Sequence, residues 1–280
     1  MAIAKRPVVT ASLMTSVYDV VRIMTREGFR RIPIVDVRTK VLQGIVTSTD
    51  IVDYFGGGEK FEIIKREFKG DFFKAMNEPV KFIMRTSPPA VQNVSTVRQA
   101  IGLMKQRGVG GLPVLDNAGR VLAIVTERDL LSLFEEKIEG VKVTDLMTKN
   151  VVTATDETSI LEAARKMVKK SFRRLPILSQ GKLAGIITAM DIVRFFGSGE
   201  AFQCLRSGTI LQVLQTPVLQ IGTKKLVTIS LNASVSAAAG TMKEKHVGAL
   251  LVVDDEKLVG ILTERDFFKL VVRAPDPSHE

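Results

Sequence analysis

The chain has 280 residues, 45% of them hydrophobic, and a formal net charge of +10. That length can bury a sizeable core, and the excess of Lys and Arg favours anionic partners, with nucleotide, nucleic acid and membrane surface all qualifying. One cysteine, Cys204, excludes an internal disulfide, and with only His246 and His279 besides, the usual zinc ligands and the usual general base are missing.

In chain order the same predicted elements recur four times. Each round opens on a short strand: Pro7-Val8-Val9-Thr10, Ala90-Val91, Val151-Val152-Thr153 and Leu226-Val227-Thr228. An amphipathic helix follows, marked by apolar residues at i, i+3, i+4 and i+7. These stripes are Val17, Val20, Val21, Met24; Val97, Ala100, Ile101, Met104; Ile160, Ala163, Ala164, Met167; and Val235, Ala238, Ala239, Met242. A strand comes next, at Arg31–Asp36, Gly111–Asp116, Arg174–Leu178 and Ala249–Asp254. After a turn, a second strand runs into Thr-x-x-Asp: Thr47 and Asp50, Thr126 and Asp129, Thr188 and Asp191, Thr263 and Asp266. One such unit is too small to bury a good core, so neighbours must pack together.

The repetition has a second level. Odd copies carry Phe29-Arg30-Arg31-Ile32-Pro33 and Phe172-Arg173-Arg174-Leu175-Pro176, where even copies carry Val109-Gly110-Gly111 and Val247-Gly248-Ala249. Odd copies also share aromatic and glycine-rich connectors, Tyr54–Glu59 and Phe195–Glu200, leading to Glu78-Pro79-Val80 and Thr216-Pro217-Val218. The expectation is two tandem modules that break near Phe134 to Val143.

Apolar runs such as Val247 to Val253 fall far below the roughly twenty residues a membrane span needs. No secretory signal is evident either, so a cytoplasmic location is expected. Absence of Trp and scarcity of Tyr argue against a stacking platform for single-stranded nucleic acid. The basic charge has a plain alternative reading as a solvated surface, since Lys60 to Lys74 alternates charged and apolar residues in a helical manner.

Two readings of Thr-x-x-Asp stay open on the residues alone. A Thr at a helix N-cap with an acid three positions later forms a capping box, which needs no ligand. A strand end feeding a helix start also presents free N–H groups and the positive end of the helix dipole to an anion. The hydroxyl could then bond phosphate, and the Asp could accept from the vicinal hydroxyls of a ribose.

The order strand, helix, Leu-Pro-Val-type strand and Gly-Ile-Val-Thr-x-x-Asp resembles the cystathionine β-synthase (CBS) domain across nearly the whole chain. Four in tandem, with the connector Gly56–Glu59 through Asn77–Val80, is similar to archaeal homologues of the gamma subunit of AMP-activated protein kinase. The resemblance implies an α/β (α+β) fold of four tandem β-α-β-β-α repeats, forming two paired modules in a flat disc. It divides the chain into repeats over 1–56, 82–136, 143–197 and 219–272, connectors over 57–81 and 198–218, and a disordered tail over 273–280.

It further implies adenosyl ligands in clefts between paired domains. Carried over residue by residue, Asp50, Asp129, Asp191 and Asp266 are the ribose ligands. Thr47, Thr126, Thr188 and Thr263 lie by the phosphate. Thr10, Ala90, Thr153 and Thr228, with Pro33, Pro113 and Pro176, line the adenine pocket. In the kinase subunit a His-Arg pair approaches the phosphates; Arg30-Arg31 and Arg173-Arg174 stand there in this chain, keeping the charge at every pH and able to grip phosphate bidentately. In the even copies that role would fall to Arg128 and Arg265, which otherwise face solvent. There Gly110-Gly111 and Gly248-Ala249 leave space, and His246 reads as a surface residue.

The function expected is a regulatory adenosine-nucleotide sensor for AMP, ADP or ATP, without catalysis, metal or catalytic cofactor, acting on an unknown regulated protein by population shift. A homodimer is a further implication of the resemblance. S-adenosylmethionine, which lacks phosphate, and nucleic acid on the basic surface are the alternatives. No nucleophile with its base and no Walker-type loop is evident.

Overall fold

The computed structural model describes residues 4–134, 140–203 and 210–271. Cys204, His279 and the 273–280 tail expectation lie outside the described residues.

The four predicted helices are Val17–Glu27, Val97–Arg107, Ile160–Lys170 and Val235–Glu244. Each starts at a Ser or Thr N-cap (Ser16, Thr96, Ser159, Ser234) whose hydroxyl accepts an otherwise orphaned backbone N–H three residues on. Every residue of the predicted stripes is buried except Val97, which is half-buried. Burial of these faces, rather than local propensity, is what holds such short helices.

Each helix is followed by an antiparallel hairpin rich in β-branched residues. The strand pairs are Arg31–Val35 with Leu42–Thr47, Gly111–Leu115 with Val121–Thr126, Arg174–Ser179 with Lys182–Thr188, and Ala249–Asp254 with Lys257–Thr263. The register is the same in all four. Arg31 lies opposite Thr47, Gly111 opposite Thr126, Arg174 opposite Thr188 and Ala249 opposite Thr263.

The leading strands are shorter and later than the sequence suggests. In the first repeat only Ala11 bridges, in parallel, to Ile34; the others are Val91–Gln92, Ala154–Thr155 and Thr228–Ser230. Pairing begins only where the incoming chain meets hydrogen-bonding groups on the outer side of the hairpin. Ala11 donates to the Pro33 carbonyl and accepts from Val35 N. Thr10, Ala90 and Thr153 therefore precede the pairing, each one residue before Ala11, Val91 and Ala154.

The far edge of each hairpin is covered by a segment that leads into a different repeat. Arg85, at the entrance to the second repeat, lies opposite Ile45 of the first, and Lys5, ahead of the first, bridges Ile124 of the second. Likewise Thr223 bridges Ile186 and Thr148 bridges Ile261. The motif glycine allows this approach. A Cβ on Gly44 would lie 2.6 Å from Met84 Sδ and 2.9 Å from Arg85 O, and one on Gly260 would lie 2.5 Å from Met147 Sδ.

The described residues within 9–88 and 152–225, holding the first and third repeats, form one compact unit; those within 4–8, 89–151 and 226–271, holding the second and fourth, form the other. In the odd unit the helix Val17–Glu27 packs on Ala189–Gly197, and Ile160–Lys170 packs on the turn Asp53–Gly57. Glycine permits both contacts: a Cβ on Gly57 would lie 2.4 Å from Val168 Cγ2, and one on Gly197 2.5 Å from Thr25 Oγ1. Between them the connector rings of Phe55, Phe72 and Phe196 meet at centroid distances of 4.4 to 5.9 Å. The even unit has its own core, including Leu112, Val125, Leu250, Leu262 and Phe267. No helix among the described residues is long and apolar enough to cross a membrane.

Candidate functional site

All four Thr-x-x-Asp segments fold as capping boxes. The strand ends in extended geometry at Thr, and the Asp three residues later turns back so that its Oδ2 accepts from both the Thr backbone N–H and the Thr hydroxyl. For Asp191 these bonds are 2.8 and 2.7 Å, for Asp129 2.9 and 2.7 Å, and for Asp266 2.8 and 2.8 Å. The Asp50 Oδ2 makes the same pair of bonds with Thr47. The capping reading is therefore correct at every copy, and it uses one carboxylate oxygen only.

The other oxygen, Oδ1, differs between copies. At Asp191 it accepts from Arg194 at 3.0 Å, one turn along the same helix, and at Asp266 from Lys269 at 2.8 Å in the same relation. At Asp129 it faces the exposed Lys5 ammonium at 3.4 Å. At Asp50 it accepts from both Lys60, at 2.6 Å, and Arg85, at 2.8 Å. Burial by itself would raise the Asp50 carboxyl; Lys60 and Arg85, with hydrogen bonds from Lys60 and Thr47, hold it below its ordinary value. Asp53, beside it, moves the opposite way because burial outweighs the bond from Lys60 N.

In the odd repeats the hairpin register sets Arg31 beside Thr47 and Arg174 beside Thr188, and the preceding carbonyls, of Arg30 and Arg173, accept from Ser48 N and Ala189 N. Each arginine pair thus stands at the strand–helix junction that its Thr and Asp occupy. These arginines are half-buried. Pro33, Pro113 and Pro176 lie two residues further along the strand, opposite Ile45, Ile124 and Ile186, and are buried. Thr10, Ala90 and Thr153 are half-buried, one residue before the parallel bridge, whereas Thr228 is exposed and is itself the first paired residue of its strand, opposite Leu251.

The even repeats employ their motif arginines otherwise. Arg128 Nε donates to Glu264 Oε1 at 2.9 Å, and Arg265 Nε donates to Glu127 Oε1 at 2.7 Å. Each guanidinium also donates to a carbonyl of the facing repeat, Arg128 to His246 O and Arg265 to Gly108 O. Both glutamates are 2% exposed. Arg128 and Arg265 are exposed, as expected, and in addition clasp each other's glutamate neighbours, with the backbone beside the glycine-rich segments receiving their guanidinium groups. His246 is exposed, as expected. Sequence reasoning passed over Glu127 and Glu264, although the dipeptide Glu-Arg inside both even motifs was the available signal. It also passed over Lys60 and Arg85, which come from 10 and 35 residues away. Among the described residues no group of three or more His, Cys, Asp or Glu could hold a metal ion.

The family model of the CBS domain matches residues 2–57, 80–136, 143–198 and 218–273. The chain belongs to the CBS-domain family. Among relatives of this CBS-domain protein, MJ1225 of Methanocaldococcus jannaschii is 32% identical over 266 residues, covering 94% of this chain and 95% of that one. A 33.4 kDa protein in the ribosomal RNA operon of Thermofilum pendens is 35% identical over 93% of this chain and 86% of its own. The crystal structure of MJ1225 superposes with a TM-score of 0.92, covering 97% of this chain and 99% of that one. A conserved protein from Pyrococcus horikoshii, 20% identical, shares the fold with a TM-score of 0.59 over 96% of this chain and 97% of that one.

Proposed function

We propose that this CBS-domain protein is a regulatory binder of adenosine nucleotides. The observation that carries the reading is the third junction. Asp191 is buried, its Oδ2 is spent on the cap, and among the described residues its Oδ1 has a single partner, Arg194, whose side chain is 52% exposed. Arg194, half exposed already, can give way to a ligand whose hydroxyls take over its place on the buried carboxylate. Oδ1 then accepts the vicinal hydroxyls of a ribose, while Thr188 and the pair Arg173-Arg174 stand beside it to meet phosphate. Asp129 and Asp266 take the same role in the even repeats, with Thr126 and Thr263 beside them.

Kinship supports the same reading, since the structure of MJ1225 is described as that of a proposed archaeal homologue of g-AMPK. AMP, ADP and ATP fit better than S-adenosylmethionine, which offers nothing to the arginine pair. The protein carries no catalysis in this reading; ligand binding favours one conformation and a regulated partner, a homodimer mate or a separate protein, responds to it. Calorimetric titration of nucleotide-stripped protein with AMP, ATP and S-adenosylmethionine tests this. Saturable micromolar binding of AMP or ATP that Asp191→Asn weakens is expected, and no binding of any of the three overturns the reading.

A further inference from the structure

The four motif aspartates are alike in sequence and unlike in the acceptor capacity they have left. A carboxylate offers about four lone-pair positions, two on each oxygen. At Asp191 three donors are in place, two from Thr188 and one from Arg194, and at Asp266 three likewise, two from Thr263 and one from Lys269. Asp129 has two donors from Thr126, with Lys5 at 3.4 Å. Asp50 has four: Thr47 N, Thr47 Oγ1, Lys60 Nζ and Arg85 Nε. Nothing remains on Asp50 to receive a diol.

Lys60 is also unlike the other cations in how it is held. Its Nζ donates to the Ile83 carbonyl at 2.6 Å as well as to Asp50, and its backbone N–H donates to Asp53 Oδ1 at 3.1 Å. Its side chain is 22% exposed, against 52% for Arg194, 51% for Lys269 and 73% for Lys5. A ligand that displaced it would strand an ammonium and a carbonyl in a mostly buried place, where an unpaired group is costly.

The third repeat lacks both cations. In the parallel connectors Gly58-Glu59-Lys60 and Gly199-Glu200-Ala201, an alanine stands where Lys60 does. On the exchanged edge Thr223 faces Ile186 where Arg85 faces Ile45. The odd repeats, so similar in their arginine pairs, therefore part company at the aspartate.

We propose that the first repeat is closed to the ribose by Lys60 together with Arg85, so that Asp50 is a structural ion-pair hub and nucleotide binds at the other junctions only. This rests on the nucleotide-binding reading above. The test compares AMP stoichiometry, by calorimetry on nucleotide-stripped full-length protein, in four forms: wild type, Asp191→Asn, the double variant Lys60→Met with Arg85→Met, and that double variant carrying Asp50→Asn as well. Folding is verified for each by circular dichroism.

The double variant should gain one binding site over wild type, and adding Asp50→Asn should remove the gained site and no other. Amine labelling of wild type should find Lys60 protected to the same extent with and without saturating AMP. A folded double variant with unchanged stoichiometry, or a several-fold rise in Lys60 labelling when AMP is added, overturns closure while AMP binding itself leaves the nucleotide reading standing. Absence of AMP binding by wild type overturns the nucleotide reading, and the closure proposal with it.

Discussion

Asp191 and Asp50 occupy equivalent positions and differ in what their outward oxygens meet. For Asp191 the exchange of Arg194 for ribose hydroxyls is the binding event, so Asp191→Asn, which keeps the size and removes the charge, should weaken AMP binding about 10- to 100-fold. That range follows from about 1.5–3 kcal/mol for a hydrogen bond to a charged group and 1.4 kcal/mol per decade; calorimetry reads it. For Asp50 the consequence is one of stability. Its carboxyl lies lower when folded than its ordinary 3.8, so its contribution is fully present above that value and is lost as pH falls through the lower folded value. Urea unfolding of wild type and Asp50→Asn should show wild type ahead at neutral pH and the difference shrinking below pH 3.8.

At the scale of elements, the junction between strand and helix is stabilised by its cap whether or not a ligand is present. Duplication therefore preserves Thr-x-x-Asp for structural reasons, and the functional content sits in the oxygen that the cap leaves over. The helix contacts of the odd unit depend on two glycines that do different work. A methyl at Gly57 would meet the backbone carbonyls of Val52 at 2.9 Å and Ala164 at 3.1 Å, as well as Val168, whereas one at Gly197 meets chiefly the Thr25 hydroxyl. Gly57→Ala should destabilise by about 1–3 kcal/mol, the usual range for overpacking, and Gly197→Ala by less, as read from denaturation midpoints. In the even unit, Arg128→Ala removes one charged hydrogen bond from the buried Glu264 and should cost about 1–3 kcal/mol. Arg265→Ala should do the same through Glu127, and neither should change the AMP affinity of the third junction.

For the whole molecule the net charge of +10 is the feature that admits a rival partner. Several cations are held by acids of the chain, Lys60 and Arg85 by Asp50, Arg128 by Glu264, Arg265 by Glu127 and Arg120 by Asp116, which leaves the net charge as it is but directs those side chains inward to the protein. A duplex-binding surface would instead present its cations to phosphates and lose affinity steeply with salt. Filter binding with short duplex DNA should show no saturable complex at near-physiological salt. AMP binding, involving a small anion at a defined junction, should decline far less as salt is raised.

The sequence by itself determined the repeat, the helix faces, the hairpins and the Thr-Asp junctions, because each is set by patterns within about forty residues: stripe spacing, β-branched runs and capping chemistry. It also brought Arg31 to Thr47 and Arg174 to Thr188, since a hairpin register follows from its own alternation. The tertiary structure alone decided which repeats pack into one compact unit, that Arg128 and Arg265 clasp Glu264 and Glu127, and that Lys60 and Arg85 fill the acceptors of Asp50. Those contacts join residues from 10 to 138 positions apart. Four local motifs of one kind can thus differ in function, because the last lone pair of each aspartate is assigned by whichever distant cation the fold delivers to it.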